Sequence, residues 1–441
     1  MKRRWRDTLF YVLLTCFFLL GGVAVLYAQG WRFDTSLLSF GKVGAIYLRT
    51  FPEETIVKID GKELDKKPGI FDRGVFVNGL FPRSYTIETS APGFRTWKTD
   101  VEVLPSLVEQ LKHIVLVPNQ GSIVLSGPVE GLFGKNEVLI TRDLSRTLFF
   151  KNRKLSGSTV LGISNVGDAV LTHTPEQATY YWNDVETGTT SNLSVLFRDA
   201  RNGFRIPANH SILMSEREDG TVLVSNTASL YLFTMRSNEV RPIVTRSTNP
   251  ITAFAISPRW ISWSTYNAQK NISIVESYDR VAQQNTEDPV TLIGKTVSLA
   301  ISGKETLGVL QHTGELFLGV PRDPLRNIAS DVRSFLFTDD GTKIVARESQ
   351  AVEIFSLIED EVMYARLNLP AGTDEEKLIW YHDNHHLFLT YNDRALFLDE
   401  IDKKLSSVIE IARGKDFFYN PEENILYYIA DGAVIGMEFP R

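Results

Sequence analysis

The chain has 441 residues, 43% of them hydrophobic and 23% charged, a globular composition long enough for two or three domains. Residues 1–28 carry Lys2, Arg3, Arg4 and Arg6 against Asp7, a net +3, which leaves −9 for the remainder of a chain whose total is −6. That acidic remainder argues against a phosphate-neutralising nucleic-acid surface, and a single cysteine, Cys16, excludes disulfides, cysteine–zinc sites and a cysteine nucleophile beyond residue 28.

The first element is "MKRRWRDTLFYVLLTCFFLLGGVAVLYAQG", residues 1–30: a basic head, then Leu9–Ala28 without a charge. Those twenty residues, as a helix rising about 1.5 Å per residue, match the ~30 Å hydrocarbon core of a bilayer. The basic head is expected to stay cytoplasmic and the body to be extracytoplasmic, with Trp5, Tyr27 and Trp31 at the membrane interfaces. An uncleaved signal anchor is the favoured reading. A cleaved signal peptide ending at Ala28 and a lipoprotein signal ending in "LLTC" at Cys16 are the alternatives, weakened by Leu26 and by Thr15 respectively. All three export the body. A buried core helix is disfavoured by the basic residues in front of it.

Residues 41–118 change texture. "GAIYLRT" (44–50), "TIVKID" (55–60), "GVFVNGL" (74–80), "SYTIETS" (84–90), "TWKTDVEVL" (96–104) and "KHIVLVP" (112–118) read as short strands. In 84–90, Tyr85, Ile87 and Thr89 alternate with Thr86, Glu88 and Ser90, the period of a strand with one face buried. Asp60-Gly61 and Pro92-Gly93 mark turns, and Pro82 sets φ ahead of a strand. About six strands punctuated in this way predict a small sandwich. "FPEETIVKIDGKE" (51–63) and "LFPRSYTIETSAPGF" (80–94) make this region resemble a PEGA domain. That family has a Pro-Glu-Gly-Ala-like start, a strand ending in Asp-Gly, a Leu-x-Pro-Gly-x-Tyr stretch and a Gly-Tyr or Gly-Phe. Here Glu54-Thr55 stand for Gly-Ala and Arg83 for Gly, departures that fall at turns. The resemblance implies a surface binding or spacer module with no catalytic residues to carry over.

Residues 119–441 show almost no helical periodicity and a recurring unit of paired strands and polar turns. Copies are 252–279, 297–320, 333–360, 377–402 and 415–439, and "YYWNDVETGTT" (180–190) has the pattern that joins outer strands. Aligning Phe254, Leu299, Phe335, Ile379 and Phe417 gives spacings of 45, 36, 44 and 38, close to the ~40–45 residues of a four-stranded propeller blade. The expected fold is therefore all-β: an N-terminal transmembrane helix, a small PEGA-like β-sandwich and a C-terminal β-propeller of about seven blades, with six or eight also compatible. "FTDDGTKIV" and "ISGKETLGV" resemble the inter-strand turn of TolB-like and Trp-Asp-repeat-like propellers. Blades stack because none can bury both apolar faces alone, and "VIGMEF" (434–439) is placed to close the ring. An open stack of sandwiches is the runner-up. Residues 120–205 fit the repeat worst.

Candidate chemistry is sparse. "HDNHH" (His382, Asp383, His385, His386) groups four potential zinc or copper ligands, but it falls where other copies have turns, so a solvated turn is expected. Asp339-Asp340-Gly341 lacks the later acidic ligands of a calcium loop. "PVTLIGKT" (289–296) has Pro289 where a phosphate loop needs glycine. There is no Gly-x-Ser-x-Gly elbow and no His-Glu-x-x-His. Trp260/Trp263 and Trp380/Tyr381 are expected as inter-blade core rather than sugar platforms. Asn192, Asn209 and Asn271 head Asn-x-Ser sequons that matter only in a eukaryotic secretory route.

The organisation expected is a head and anchor over 1–30, the sandwich over 41–118 and the propeller over 119–441. No catalytic, cofactor-binding or metal-ligating residue is assigned. The expected role is a non-enzymatic, membrane-anchored extracytoplasmic binding or scaffold protein, held by residues 9–28, with a protein or cell-envelope polysaccharide partner and no nucleic acid. A glycan- or peptide-active propeller and a sensor or assembly factor for an envelope complex are the alternatives. The first requires Asp, Glu and Arg converging on one channel mouth, the second a broad apolar patch on one face.

Overall fold

The computed structural model describes residues 3–34, 39–64, 73–164, 167–198, 211–214, 220–235, 237–321, 323–358, 364–369, 376–401 and 404–441. The chain divides into two compact units, Met1–Gln120 with Phe439–Arg441, and Gly121–Glu438. The first begins with a helix, Arg3–Ala28, in which Leu9–Ala28 has mean hydropathy 2.5 and is nowhere buried. By length and composition this helix suffices to cross a membrane. A short hairpin follows, Trp31–Asp34 paired antiparallel with Ser39–Lys42, which no alternation in the sequence announces.

Two small sheets complete this unit. One orders Val75–Leu80, Gly44–Phe51 and Val108–Val115; the other orders Lys62–Glu63, Ile56–Ile59, Ser84–Ser90 and Trp97–Glu102. Tyr85, Ile87 and Thr89 are buried in strict alternation, as the period-two pattern requires. Asp60 and Gly61 both take positive φ, 50° and 75°, so the turn between the two strands is of the primed kind that matches strand twist. Gly44–Phe51 runs parallel to Val108–Val115. At the start of the first of these strands only glycine fits, because a Cβ on Gly44 would collide with the Leu104 carbonyl oxygen.

Among the described residues, Gly121–Glu438 is built of eight sheets, the upper end of the expected six to eight. Their first strands are Val129–Lys135, Thr159–Ile163, Ser211–Met214, Ile251–Ile256, Thr296–Ile301, Val332–Phe337, Glu376–Trp380 and Lys415–Asn420. In six of them the chain simply meanders outward through four successive antiparallel strands; in the sheet that starts with Ile251–Ile256 the third strand, Ile272–Asp279, pairs with both Gln284–Asn285 and Val290–Ile293. The eighth takes three strands from 415–438 and its outermost, Ser122–Leu125, from the beginning of the unit, with Ile123 opposite Ile435. Each aligned residue, Phe254, Leu299, Phe335, Ile379 and Phe417, lies in the first strand of its own sheet.

Shared cores join every neighbouring pair. Ile140 and Leu148 meet Ile163 and Val170; Leu171 meets Val222 and Phe233; Leu223 and Leu230 meet Ile261 and Trp263. Trp260 and Val275 meet Leu307 and Val309; Leu310 and Leu316 meet Phe337 and Ile344; Val345 and Val352 meet Leu387 and Leu398. Tyr381 and Phe388 pack on Tyr419, at 5.2 and 5.1 Å between ring centroids, and Phe418 and Tyr427 return to Leu132 of the first sheet. The eight sheets thus form a closed ring, and the open stack is excluded. Fully burying each such side chain contributes about 1.5–3 kcal/mol, available to a blade only against a neighbour. First strands touch first strands: Val129–Lys135 packs beside both Lys415–Asn420 and Thr159–Ile163, so these strands line the axis of a β-propeller.

The poor fit of residues 120–205 has visible causes. In the first blade the outer strands are Leu148–Phe150 and Arg153–Lys154, barely pairing. The second blade is followed by a helix, Leu193–Arg198, whose Phe197 packs edge-on against Phe233 at 4.9 Å. Among the sequons, Asn209 lies outside the described residues.

The turns between first and second strands repeat one construction. A hydroxyl accepts a hydrogen bond from a backbone N–H after the turn: Ala169 to Ser164, Trp260 to Ser257, Thr306 to Ser302 and Lys343 to Thr338, at 3.0–3.1 Å. Gly341 holds the left-handed position in the fourth of these at φ 66°, and Glu305 and Asn384 hold its equivalents. These turns, and those between third and fourth strands, open on one face of the ring.

Candidate functional site

On that face, at the mouth of the axial channel, lies a cavity of about 320 Å³. Its wall is contributed by first-strand ends of four blades: Lys135 and Asn136 from the first, Phe337 and Asp339 from the sixth, Lys377 to His382 from the seventh, Phe418 and Tyr419 from the eighth. The first and eighth blades approach so closely here that a Cβ on Gly134 would collide with the Phe418 ring. Asp416 ties the same seam, accepting a hydrogen bond from Leu132 N at 3.3 Å.

The aromatic wall is held by hydrogen bonds between blades. Tyr419 donates to Asn424 Oδ1 at 2.6 Å, and Asn424 Nδ2 donates to Tyr381 OH at 3.0 Å. With its proton so engaged, the Tyr419 oxygen accepts from His382 Nδ1 at 2.7 Å, which assigns the Nδ1–H tautomer to His382. Burial pushes both phenols, Tyr381 and Tyr419, far above the ordinary tyrosine range. The Nε1 of Trp380 is buried and without a hydrogen-bond partner.

Lys377 Nζ reaches the Phe417 carbonyl at 3.4 Å. Its side chain is open to solvent yet ringed by protein, the condition of a residue lining a narrow channel. The surrounding wall lowers its pKa by desolvation, and Asp416 opposes that shift. The cavity therefore offers aromatic faces, two ammonium groups, Lys135 and Lys377, and an exposed carboxylate, Asp339.

The histidines of "HDNHH" go three ways. His382 serves the cavity wall. His385 Nδ1 lies 3.4 Å from Lys343 Nζ. His386 is fully buried, which corrects the expectation of a solvated turn. Its Nδ1 lies 2.7 Å from Asp383 Oδ2, its Nε2 makes an ion-pair contact of 3.1 Å with Asp399 Oδ1 that falls short of hydrogen-bond geometry, and its ring stacks on Phe397. Burial alone would lower its pKa, but the two carboxylates prevail and push it up to about 10. Desolvation would raise the pKa of Asp383; His386 and the His385 N–H together hold it well below the carboxylate range. Among the described residues no cluster of three or more His, Cys, Asp or Glu is arranged to hold a metal ion.

Asp340 of the Asp-Asp-Gly turn accepts from Thr342 N at 3.0 Å, and 289–296 contains a strand, Val290–Ile293. Trp260 and Trp263 are buried between blades, whereas Trp380 and Tyr381 are buried and also line the cavity. Sequence reasoning singled out Asp339, Trp380, Tyr381 and His382, each for another reason, and passed over Lys135 and Lys377. Their common signal is position at an end of a blade's first strand, readable only once the repeat has been put in register.

The sequence matches no family model, and no curated protein matches it. Solved structures similar to this chain include one titled as the mitotic checkpoint complex, at 13% identity and TM-score 0.44, covering 64% of this chain and 89% of that one. Kluyveromyces lactis Hsv2 is similar at 10% identity and TM-score 0.44, covering 66% and 100%. Kuenenia stuttgartiensis hydrazine synthase is similar at 12% identity and TM-score 0.40, covering 63% and 94%.

Proposed function

We propose that this chain is a non-enzymatic binding and scaffold protein, anchored in the cell membrane by residues 9–28 with its basic head cytoplasmic, and that a partner protein seats at the axial mouth of its extracytoplasmic propeller. The proposed organisation is head and anchor over 1–30, a PEGA-like spacer over 41–118 and the propeller over 119–441. The axial cavity carries the reading. A concave, aromatic-walled site with a few polar groups at its edge has the anatomy of a recognition site.

The same geometry disfavours acid–base chemistry by the histidine and the phenols of its wall. His382 is committed to Tyr419, and both phenols are driven away from neutrality, whereas a general acid or base works best with a pKa near the operating pH. The motif resemblance of 51–94 to PEGA modules supports the spacer role. The uncharged run after Lys2, Arg3, Arg4 and Arg6 supports the orientation.

The test is photo-crosslinking of the full chain in its native membranes. A photo-reactive residue at Asp339, on the cavity rim, is expected to capture a protein, and one at Lys270, in an opposite-face turn, is expected not to. Capture of polysaccharide at 339 would replace the partner class. Hydrolysis of glycan or peptide by the purified chain, abolished by one carboxylate substitution, would overturn the reading.

A further inference from the structure

The hairpin directly after the apolar helix has two unlike faces. Its register places Trp31 opposite Lys42, Arg32 opposite Gly41 and Phe33 opposite Phe40. Residues opposite one another, and residues two apart, share a face of an antiparallel ribbon. Trp31, Phe33, Phe40 and Lys42 therefore occupy one face, and Arg32 and Gly41 the other.

The Arg32 face is already partnered. Its guanidinium lies 3.3 Å over the Tyr27 ring and donates to the Tyr27 carbonyl at 2.8 Å, while Gly41 lies against Phe81, whose ring a Cβ would meet at 3.7 Å. Gly30 fastens the ribbon to the helix end, donating to Tyr27 O at 3.2 Å and accepting from Val43 N at 3.0 Å. Among the described residues the aromatic face is largely open, with Trp31 half-buried. Phe33 is 48% exposed and Phe40 68%, their rings meeting edge to face at 5.1 Å, and Lys42 Nζ sits 5.8 Å from the Trp31 ring centroid.

Tryptophan, two phenylalanines and a lysine on one surface, three residues beyond a bilayer-length apolar run, have the composition of the membrane–water interface. Aromatic rings are accommodated among headgroups there, and a lysine stem reaches outward to a phosphate. We propose that the paired strands Trp31–Asp34 and Ser39–Lys42 lie on the lipid surface, the Trp31, Phe33 and Phe40 rings in the interface and Lys42 paired with lipid phosphate. The proposal rests on residues 9–28 spanning the membrane. It adds a second lipid contact that restrains the start of the body at the bilayer, where a lone helix would act as a swivel.

The test uses the full chain in phosphatidylcholine–phosphatidylglycerol vesicles, with the photo-reactive analogue benzoylphenylalanine replacing one phenylalanine at a time. All chosen rings are exposed, so the added benzoyl group has room outside the fold. Phe17 reports the span, Phe33 and Phe40 the hairpin, and Phe76, an exposed aromatic of the sandwich unit, is the control. Expected are lipid adducts at 17, 33 and 40, with the yield at 76 at least tenfold lower. Adducts at 17 but none at 33 and 40, or adducts there to protein alone, would sink the hairpin proposal and leave the anchor standing. No lipid adduct at 17 would remove the anchor, and this proposal with it.

Discussion

His386 shows how far one side chain can depart from what its neighbours in sequence imply. Five polar residues in a row read as a wet turn, and four of them do border one. The fifth is the first residue of a strand, His386–Tyr391, and strand pairing sets it opposite Asp399. The carboxylate that turns a buried imidazole into a buried cation thus comes from the next strand, where no local pattern could announce it. Because the folded pKa of His386, about 10, exceeds its ordinary 6.5, this ion pair adds stability that is complete below about pH 6.5 and is lost as pH rises toward 10. Asp383 is depressed from 3.8, so its share is present above that value and lost as pH falls below it. His386→Gln should therefore cost about 3–5 kcal/mol at pH 6 by leaving buried carboxylates uncompensated. The gap from the unsubstituted protein should narrow steadily toward pH 10 in thermal unfolding followed by circular dichroism. A gap independent of pH over that range would show that His386 is neutral in the fold.

At the scale of elements, most of the propeller was legible. Turn residues and alternating strands are local features, and five aligned positions sufficed to mark five consecutive blades. The early blades escaped because two-residue and three-residue strands carry too little alternation to count, and because a helix intervenes. Closure was legible only as a need. The last strand was recognisable, but its partner, Ser122–Leu125, is a short apolar stretch whose side chains are all exposed, so burial patterning gave no sign of it. Its contribution is hydrogen bonding along an edge rather than packing. Deleting residues 122–125 should accordingly preserve most strand content by circular dichroism while leaving 433–438 as an open edge. The expected outcome is concentration-dependent self-association on size-exclusion chromatography, with the midpoint of thermal unfolding lowered by several degrees, equivalent to about 1–3 kcal/mol in a unit of this size. A variant that stays monomeric with an unchanged midpoint would show that the ring does not depend on this strand.

At the scale of the whole molecule, the anchor reading makes a simple demand. The full chain should stay with membranes through alkaline carbonate washing, whereas Leu14→Arg combined with Leu19→Arg should release it, since each arginine near a helix centre costs about 2.5–3.5 kcal/mol of insertion. The body's unfolding should not change, because the helix is not buried against protein. Retention of the double variant would show that something other than this helix holds the protein to the bilayer.

Sequence by itself determined the features that depend on neighbours along the chain: an uncharged run of bilayer length, period-two strands, polar turns between strands, and a repeat near the length of a blade. Tertiary structure alone decided which residues from separate strands meet. It joined Ser122–Leu125 to Ala433–Glu438, set His386 against Asp399, and brought Lys135, Asp339, Lys377 and Tyr419 around one cavity. The physical reason is that a strand's pattern states which of its faces is buried, while its partners follow from the register and closure of the entire ring.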